Sequence, residues 1–391
     1  MRVPKGEADV SRLDAFARER VDAGERFFGA EAEGIARLCH RAAERFARGG
    51  RLIALGRSPA ARSDARHVAV EFVHPVIVGK RALPALALCA EGGPLPAQVA
   101  LVAEPDDLVI AFEADDPETA EALALATGRG CLPIAFEPQG DSWVRQELEE
   151  TAYHVLWELV HVFFEHRGLL GGRRAEAVHD TGASAFLYPF LGEQEDDLDA
   201  VVADVRASVL AKAEETAALR VRTLRENADA LAAAAADLRA AFASGGRLLA
   251  LGNGGSATDA MDVVADFHAP LGDEPGRPAL DLTEDAGILT AIANDIGPEA
   301  MFARQVIAHG RAGDVLLALS TSGTSGSVIA ALEEARRRDV HTIAMVGYDG
   351  GRIAAEALAD HVVISRSEHI PRIQEAQATA YHALRRLVEE P

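Results

Sequence analysis

The sequence predicts an α/β protein of two tandem units, each a parallel sheet flanked by helices, with long N-terminal helices packing between the units. Short apolar runs alternate with helical patterns in both halves, which is typical of a parallel sheet covered on both faces. The halves also share a repeated stretch, since Ser244-Gly-Gly-Arg-Leu-Leu-Ala-Leu-Gly252 closely matches Arg48-Gly-Gly-Arg-Leu-Ile-Ala-Leu-Gly56. We interpret this repeat as a tandem duplication of one α/β unit.

The first half contains four helical patterns and four short apolar runs. Apolar residues spaced three and four apart favour the helices, and short runs of apolar residues favour buried strands. Gly49 and Gly50 are expected to end the first helix. The predicted helices are residues 9–48, 60–73, 117–127 and 142–166, and the predicted strands are residues 51–55, 83–88, 108–112 and 132–136.

The second half follows a segment that is first rich in glycine and then acidic. We predict that this segment, residues 168–194, is a linker between domains 1–167 and 195–391. An alanine-rich region after it is expected to be helical up to Ala243, because alanine is the strongest helix former. Both halves end in a helix with a glutamine and a histidine eight residues apart, namely Gln146 with His154 and Gln374 with His382.

Composition limits the classes of partner. A formal net charge of −22 argues against nucleic acid as a partner of the surface as a whole. No apolar stretch is long enough to span a bilayer, and the N-terminus lacks the apolar segment of a secretion signal, so a cytoplasmic protein without membrane contact is expected. The three cysteines, Cys39, Cys89 and Cys131, lie in or beside apolar runs and are predicted to be buried thiols.

Two small, hydroxyl-rich turns in the second half each follow a predicted strand and precede a helical pattern. They are Gly252-Asn-Gly-Gly-Ser256 and Ser320-Thr-Ser-Gly-Thr-Ser325. Each alone fits an ordinary capped turn. Two at the carboxyl ends of strands in one parallel sheet indicate a phosphate site, because helix N-termini attract anions. The candidate phosphate-binding residues are Asn253, Gly254, Gly255, Ser256, Ser320, Thr321, Ser322 and Ser325.

The first half carries different residues at the matching turns. Glu113-Ala-Asp-Asp-Pro-Glu118 stands in place of the second hydroxyl-rich turn, and its four carboxylates would repel a phosphate. The turn that begins at Gly56 is one residue longer and poorer in glycine than its counterpart. The first half is therefore not expected to bind phosphate in the same way.

The first half has instead a set of residues suited to a metal. His67 and Glu71 are one helical turn apart, and Gln146 and His154 are about two turns apart on the long helix. Their nitrogen and oxygen donors suit zinc, although a histidine and a glutamate at this spacing are commonly a surface pair. The matching residues of the second half are Asp262, Asp266, Gln374 and His382.

A further polar pair follows an apolar run in the second half. Asn294 and Asp295 stand in Ala291-Ile-Ala-Asn-Asp-Ile-Gly297, which we interpret as a turn. The pair could form a plain turn stabilised by its own side chains, or it could close over a sugar. We assign both residues to the substrate site.

These motifs resemble the sugar isomerase (SIS) domain family, and within it the phosphoheptose isomerases. The resemblance covers residues 190–391 strongly and, through the duplication, residues 10–166 weakly, so both units are expected to be SIS-type. It implies that the hydroxyl-rich turns bind a sugar phosphate and that zinc is held by residues matching His67, Glu71, Gln146 and His154. The motifs that carry it are residues 252–256, 291–295, 313–317, 320–325, 347–350 and 372–375.

The resemblance implies an aldose–ketose isomerase of a phosphorylated heptose, which would convert sedoheptulose 7-phosphate to D-glycero-D-manno-heptose 7-phosphate. Since the first half has the metal set and the second has the phosphate set, we expect one composite zinc site, with Glu71 as base and His154 as acid. A metal at Asp262 and Asp266 is less favoured. Members of the family are tetramers, so a homodimer of this chain is expected to form a pseudo-tetramer.

Two other functions fit the sequence. One is a non-catalytic SIS protein that binds a sugar phosphate or a protein partner, as some relatives do in replication control. Loss of the histidine and glutamate from the second half suits it, and their presence in the first half argues against it. The other is isomerisation of a different sugar phosphate, because the loops that set specificity cannot be placed from sequence.

Overall fold

The computed structural model describes residues 5–76, 80–165, 170 and 197–389, which form two compact units. The first unit is Ala23–Glu214, and the second unit is Met1–Asp22 together with Glu215–Pro391. These ranges differ from the predicted domains 1–167 and 195–391, because two long helices each contribute to both units. The predicted linker, residues 168–194, lies outside the described residues except for Leu170.

The first unit is built from elements in the alternating order that the sequence predicts. Its boundaries agree with the predicted ones to within a few residues, and the short helix α3 was not predicted. The elements are α1 Lys5–Ala47, β1 Leu52–Leu55, α2 Pro59–Val73, β2 Ala85–Leu88, α3 Leu95–Val102, β3 Leu108–Ala111, α4 Pro117–Gly128, β4 Leu132–Ile134, α5 Ser142–Glu165 and α6 Leu198–Glu226.

The first unit contains a parallel sheet in the order β2-β1-β3-β4. Successive residues of a strand point to opposite faces. Leu52 and Ala54 of β1 accordingly pack into the cluster formed with α1, α2, α5 and α6. Ile53 and Leu55 pack into the cluster formed with α3 and α4. The sheet is buried on both faces, which explains why its strands are almost wholly apolar.

The second unit has a longer set of elements. A short 3₁₀ helix, Pro298–Ala300, precedes α10. No helix in the described residues combines the length and apolar character needed to cross a bilayer. The elements are α7 Ala228–Ala243, β5 Leu248–Leu251, α8 Gly255–His268, β6 Ala279–Asp281, α9 Ala286–Asp295, α10 Ala303–His309, β7 Val315–Ser320, α11 Gly326–Arg337, β8 His341–Gly347, α12 Gly351–Ala355, β9 His361–Ser365 and α13 Ile370–Glu389.

The sheet of the second unit is also parallel, in the order β6-β5-β7-β8-β9. Leu248 and Ala250 of β5 pack towards α7, α8 and α13, whereas Leu249 and Leu251 pack towards α10, α11 and α12. Strands β6, β5, β7 and β8 have the same order as strands β2, β1, β3 and β4 of the first sheet. The predicted fold class, two α/β units with parallel sheets flanked by helices, is confirmed.

The alanine-rich region is two helices rather than one, because Asn227 interrupts it. The Asn227 side-chain amide donates hydrogen bonds to the carbonyl oxygens of Thr223, at 2.7 Å, and Ile364, at 3.0 Å. Its side-chain oxygen accepts from the backbone N–H of Ile364 at 2.9 Å. Asn227 therefore joins the break between α6 and α7 to strand β9.

The three cysteines are buried free thiols, as predicted. Cys39 is fully buried in the core of the first unit. Burial raises the pKa of the Cys89 thiol and of the Cys131 thiol. A thiol that stays protonated is a poor nucleophile and a poor metal ligand, so these side chains act as small apolar core residues.

His161 of α5 is buried, with 3% of its surface exposed. Its ring nitrogens lie 2.9 Å from the Trp157 carbonyl oxygen and 3.1 Å from the Arg81 carbonyl oxygen. Burial lowers the pKa of His161 to about 4, because the charged imidazolium is poorly solvated there.

The variant His161→Gln is expected to reduce acid sensitivity. Between pH 4 and pH 6.5 the unfolded chain binds a proton at His161 that the folded chain does not, so the free energy of unfolding falls as pH falls. The loss attributable to this residue is about 3 kcal/mol across that window. Urea unfolding of both proteins at several pH values measures it. His74→Gln, at an exposed histidine, is the control, and equal pH dependence of all three proteins would contradict the expectation.

Candidate functional site

The two hydroxyl-rich turns of the second unit lie side by side, as the sequence predicts. They follow β5 and β7, which are adjacent parallel strands, so both turns are at the same edge of the sheet. The side-chain amide of Asn253 donates hydrogen bonds to the hydroxyl oxygens of Ser325, at 2.9 Å, and Ser327, at 3.1 Å. This amide therefore joins the first turn to the start of α11.

Each turn leads into a helix N-terminus. Helix α8 begins at Gly255 after the cap residue Gly254, and α11 begins at Gly326 after the cap residue Ser325. The Ser325 hydroxyl does not cap α11 but accepts from Asn253. The positive ends of two helix dipoles thus lie next to a group of small hydroxyl side chains, which is a favourable place for a phosphate.

Glycine is required in these turns because the backbones approach closely. A Cβ atom on Gly252 would lie 2.1 Å from the carbonyl oxygen of Ser256. A Cβ atom on Gly323 would lie 2.2 Å from the carbonyl oxygen of Gly350, and the φ of Gly323 is +63°. Neither position accepts a side chain without movement of the main chain.

The hydroxyls of the second turn also shape its backbone. Ser320 accepts a hydrogen bond from the backbone N–H of Gly323 at 3.2 Å. Ser322 accepts from the backbone N–H and the hydroxyl of Thr324, at 3.3 and 3.0 Å. The predicted phosphate-binding residues of both turns are thus gathered at one edge of one sheet, and Ser327 joins them as a residue that sequence reasoning missed.

Asn294 and Asp295 do not form the predicted turn. They are the last two residues of helix α9, both are exposed, and the Asn294 amide donates to the Asp295 carboxylate at 2.7 Å. The apolar run before them is therefore helix, and no described residue of α9 is buried. Their role in substrate binding stays a prediction.

Arg372 is a buried arginine near the start of helix α13. It is 2% exposed within α13, where its guanidinium donates to the Glu375 carboxylate and, at 3.0 Å, to the Thr216 hydroxyl. The Thr216 hydroxyl also donates to Glu375 at 2.5 Å. This buried network fixes the start of α13 against α6.

The metal-type residues of the first unit come together on two helices. His67 and Glu71 lie on α2, and Gln146 and His154 lie on α5, with exposed fractions between 0% and 9%. The His67 Nε2 atom is 3.9 Å from Glu71 Oε1, and the rings of His67 and His154 have centroids 5.1 Å apart. The alternative of a surface pair is therefore wrong for His67 and Glu71.

Glu150 belongs to the same cluster and was missed from sequence. Ligand atoms of His67, Glu150 and His154 all lie within 4.8 Å of one another, and Glu150 is 4% exposed. The signal was available, since Glu150 is four residues after Gln146 and four before His154. On a helix this spacing places all three side chains on one face.

The residues present fit a zinc ion. Imidazole nitrogens and carboxylate oxygens are its common ligands, and tetrahedral coordination brings such atoms within a few ångströms of one another. Two buried atoms of the cluster, Glu71 Oε2 and Gln146 Nε2, have no hydrogen-bond partner among the described residues. Buried polar atoms are normally satisfied, so unpaired ones at a cluster of donors point to a missing group.

Burial makes Glu71 a weaker acid than an ordinary glutamate. Loss of solvation raises the pKa of Glu71 to about 7. Repulsion from the Glu158 carboxylate also raises this pKa, whereas attraction to His154 lowers it. Glu158 itself forms an ion pair with Lys212. A carboxylate with a pKa near neutrality can both take up and release a proton at physiological pH.

The matching residues of the second unit are arranged differently. His382 Nε2 lies 3.2 Å from Asp266 Oδ2, and Arg385 donates to the Asp266 carbonyl oxygen at 3.1 Å. Asp262 and Gln374 are buried nearby on α8 and α13. Among the residues that the structure describes, no group of three ligand side chains as close as that around His67 is found in the second unit.

The strand ends of the first unit form an open cleft of about 510 Å³ lined by charged residues. Two of its carboxylates pair with arginines, with Arg57 3.0 Å from Asp116 and Arg62 2.7 Å from Glu91. Asp116 also caps α4 by accepting from the backbone N–H of Thr119 at 3.0 Å. Charged side chains of the first unit thus stand at the turns where the second unit has small hydroxyl residues.

Known proteins match the second unit most clearly. A SIS domain is recognised at residues 213–347. The phosphoheptose isomerase of Nitratidesulfovibrio vulgaris is 41% identical over 187 residues, which cover 48% of this chain and 89% of that protein. The phosphoheptose isomerase of Desulfovibrio desulfuricans is 44% identical over 182 residues, which cover 46% of this chain and 86% of that protein.

A solved structure resembles the chain over its whole length. It is the C-terminal domain of glucosamine-fructose-6-phosphate aminotransferase from Francisella tularensis, with a TM-score of 0.55 and 11% sequence identity. The match covers 96% of this chain and 95% of that domain. At this identity the likeness concerns the fold alone. With about nine-tenths of a relative matched at 41% identity, the chain belongs to the phosphoheptose isomerase family of SIS-domain proteins.

Proposed function

We propose that this protein isomerises a phosphorylated heptose, converting sedoheptulose 7-phosphate to D-glycero-D-manno-heptose 7-phosphate. Membership of the family makes the chain a phosphosugar isomerase, and the heptose is the substrate class that the names of its relatives suggest. The observation that carries the proposal is the joining of the two hydroxyl-rich turns by Asn253 at two helix N-termini.

The turns of the second unit bind the phosphate of the sugar. Backbone N–H groups at the start of α8 and α11 donate to its oxygens, and the hydroxyls of Ser256, Ser322 and Ser325 complete the contacts. This binding holds the sugar by a group that does not react, so its energy serves to position the reacting carbons.

The cluster of the first unit moves the proton. Aldose–ketose isomerisation transfers a proton between adjacent carbons through an enediolate. Glu71 takes the proton from one carbon and returns it to the next. His154 donates a proton to the oxygen of the intermediate and recovers it. A zinc ion, when bound by this cluster, supplies positive charge that stabilises the enediolate oxygens.

We propose further that both units derive from one duplicated SIS domain and that they serve a single reaction. The first unit, residues 1–167 in the predicted division, has kept the reactive residues. The second, residues 195–391, has kept the phosphate turns. The shared strand order of the two sheets supports the duplication. A homodimer of the chain forms a pseudo-tetramer, and light scattering should give twice the mass of one chain.

The experiment follows conversion of sedoheptulose 7-phosphate by the purified protein and by variants of each unit. Asn253→Ala is expected to raise KM roughly 10-fold or more. The substitution removes the amide whose hydrogen bonds to Ser325 and Ser327 hold the two turns together. Fructose 6-phosphate is the comparison substrate, and it should be converted more slowly. Absence of turnover of the heptose by the unmutated protein would overturn the proposed substrate.

The variant Asp266→Asn tests whether the second unit has its own reactive centre. We expect turnover to be retained, since the reactive residues are assigned to the first unit. Loss of turnover in Asp266→Asn together with normal turnover in Glu71→Gln would reverse the assignment. Binding of sugar phosphate without turnover in any form of the protein would favour a non-catalytic binding protein, which the aspartates at 262 and 266 also suit.

A further inference from the structure

Helix α5 presents an unusual line of donors in the first unit. Gln146, Glu150 and His154 recur every four residues, so they form a single row along one face. In the second unit the corresponding row on α13 has Ala378 between Gln374 and His382. The carboxylate in the middle of the row is therefore specific to the unit that also has His67 and Glu71.

Distances separate the roles of the two glutamates. A carboxylate oxygen of Glu150 lies within 4.8 Å of a ring nitrogen of His67 and of a ring nitrogen of His154. The group of three residues formed in this way does not include Glu71. Glu71 approaches His67 at 3.9 Å with one oxygen, while its other oxygen has no hydrogen-bond partner among the described residues.

Charge gives a second reason for assigning a cation to this place. Glu150 is 4% exposed, and its carboxyl group lies within 4.8 Å of two imidazole rings. A buried carboxylate is costly unless an opposite charge lies beside it. A divalent cation among His67, Glu150 and His154 would supply that charge.

We propose that Glu150, together with His67 and His154, ligates the zinc ion directly, and that Glu71 is left outside the ligand set as the proton-transferring carboxylate. The proposal deepens the proposed function and rests on it, because it assigns separate roles to two glutamates of the same site. It changes the ligand set expected from sequence, in which Glu71 was both ligand and base.

The first test measures zinc affinity without any reaction. Chelator-treated protein is titrated with zinc in competition with a chromophoric chelator. Glu150→Gln should lose more than the roughly 10–100-fold in affinity that an outer-shell partner contributes, and Glu71→Gln less than roughly 10-fold. Glu149→Gln, at the neighbouring residue of α5, is the matched control and should bind zinc as the unmutated protein does. Thermal melts of the metal-free proteins check that each variant folds.

The second test detects the bond itself. Glu150→Cys and Glu71→Cys are each loaded with cobalt(II) and examined for the near-ultraviolet charge-transfer absorption of a cobalt–thiolate bond. We expect the band in Glu150→Cys and no band in Glu71→Cys. The reverse pattern, or equal zinc affinity of Glu150→Gln and the unmutated protein, would overturn the ligand assignment, as would an unmutated protein that binds no zinc.

Turnover of sedoheptulose 7-phosphate is measured on the same zinc-loaded samples, so the two proposals fail separately. Zinc binding that depends on Glu150, in a protein that does not convert the sugar, refutes the proposed function and supports the ligand assignment. Turnover in a protein whose zinc affinity depends on Glu71 instead supports the proposed function and refutes the ligand assignment.

Discussion

Glu71→Gln is expected to bind sugar phosphate normally and to lose turnover. The amide has nearly the same shape as the carboxyl group but cannot accept the proton that the enediolate mechanism removes from carbon. The expected fall in kcat is roughly 10²–10⁴-fold, with KM little changed. Steady-state kinetics with sedoheptulose 7-phosphate, together with calorimetric titration of the same sugar phosphate, measures both quantities.

Glu149→Gln is the control for this variant. Burial raises the pKa of Glu149 to about 8, so its carboxyl group is mostly protonated at pH 7 and resembles the amide that replaces it. Its kcat should equal that of the unmutated protein. A Glu71→Gln protein with unchanged kcat would show that another group removes the proton, and the assignment of Glu71 as base would be withdrawn.

Gly252→Ala is expected to abolish phosphate binding. The new Cβ atom would lie 2.1 Å from the Ser256 carbonyl oxygen and 2.5 Å from its carbonyl carbon, both backbone atoms. The start of α8 must therefore shift, which separates Ser256 and Asn253 from the second turn. Overpacking of this kind also lowers the free energy of unfolding by about 1–3 kcal/mol.

Affinity for inorganic phosphate and for the sugar phosphate, measured by calorimetry below the melting temperature, separates lost binding from lost folding. Gly128→Ala is the control, because nothing lies within 4 Å of the Cβ position at the end of α4. That variant should bind and melt like the unmutated protein. Normal phosphate affinity in Gly252→Ala would mean that the first turn is not part of the anion site.

Local sequence patterns were enough to predict the two sheets and the position of the two hydroxyl-rich turns. The runs of β1, β3, β5 and β7 are almost wholly apolar because both faces of each sheet are covered, and such runs are recognisable without any neighbour. Adjacent β5 and β7 then bring Gly252–Ser256 and Ser320–Ser325 to one edge, which follows from parallel pairing alone. Asn294 was misplaced because an apolar run of helix α9 has the same composition as a strand.

Single positions in the interior were harder to predict, because their roles depend on what packs against them. Sequence spacing placed His67 and Glu71 on one helical face but could not say whether that face was buried, nor that Arg372 is only 2% exposed. Burial is decided by the neighbouring helix, which lies far away in the chain.

The sequence by itself determined the architecture, the two neighbouring hydroxyl-rich turns and most of the metal-type residues, since these follow from residue patterns within each element and from the parallel pairing of strands. Only the tertiary structure decided that α2 and α5 meet with their polar faces together. That meeting brings Glu150 within 4.8 Å of His67 and His154 and raises the pKa of Glu71 to about 7. The approach of Glu150 results from the packing of two helices, and the pKa shift of Glu71 results from the loss of water that this packing causes.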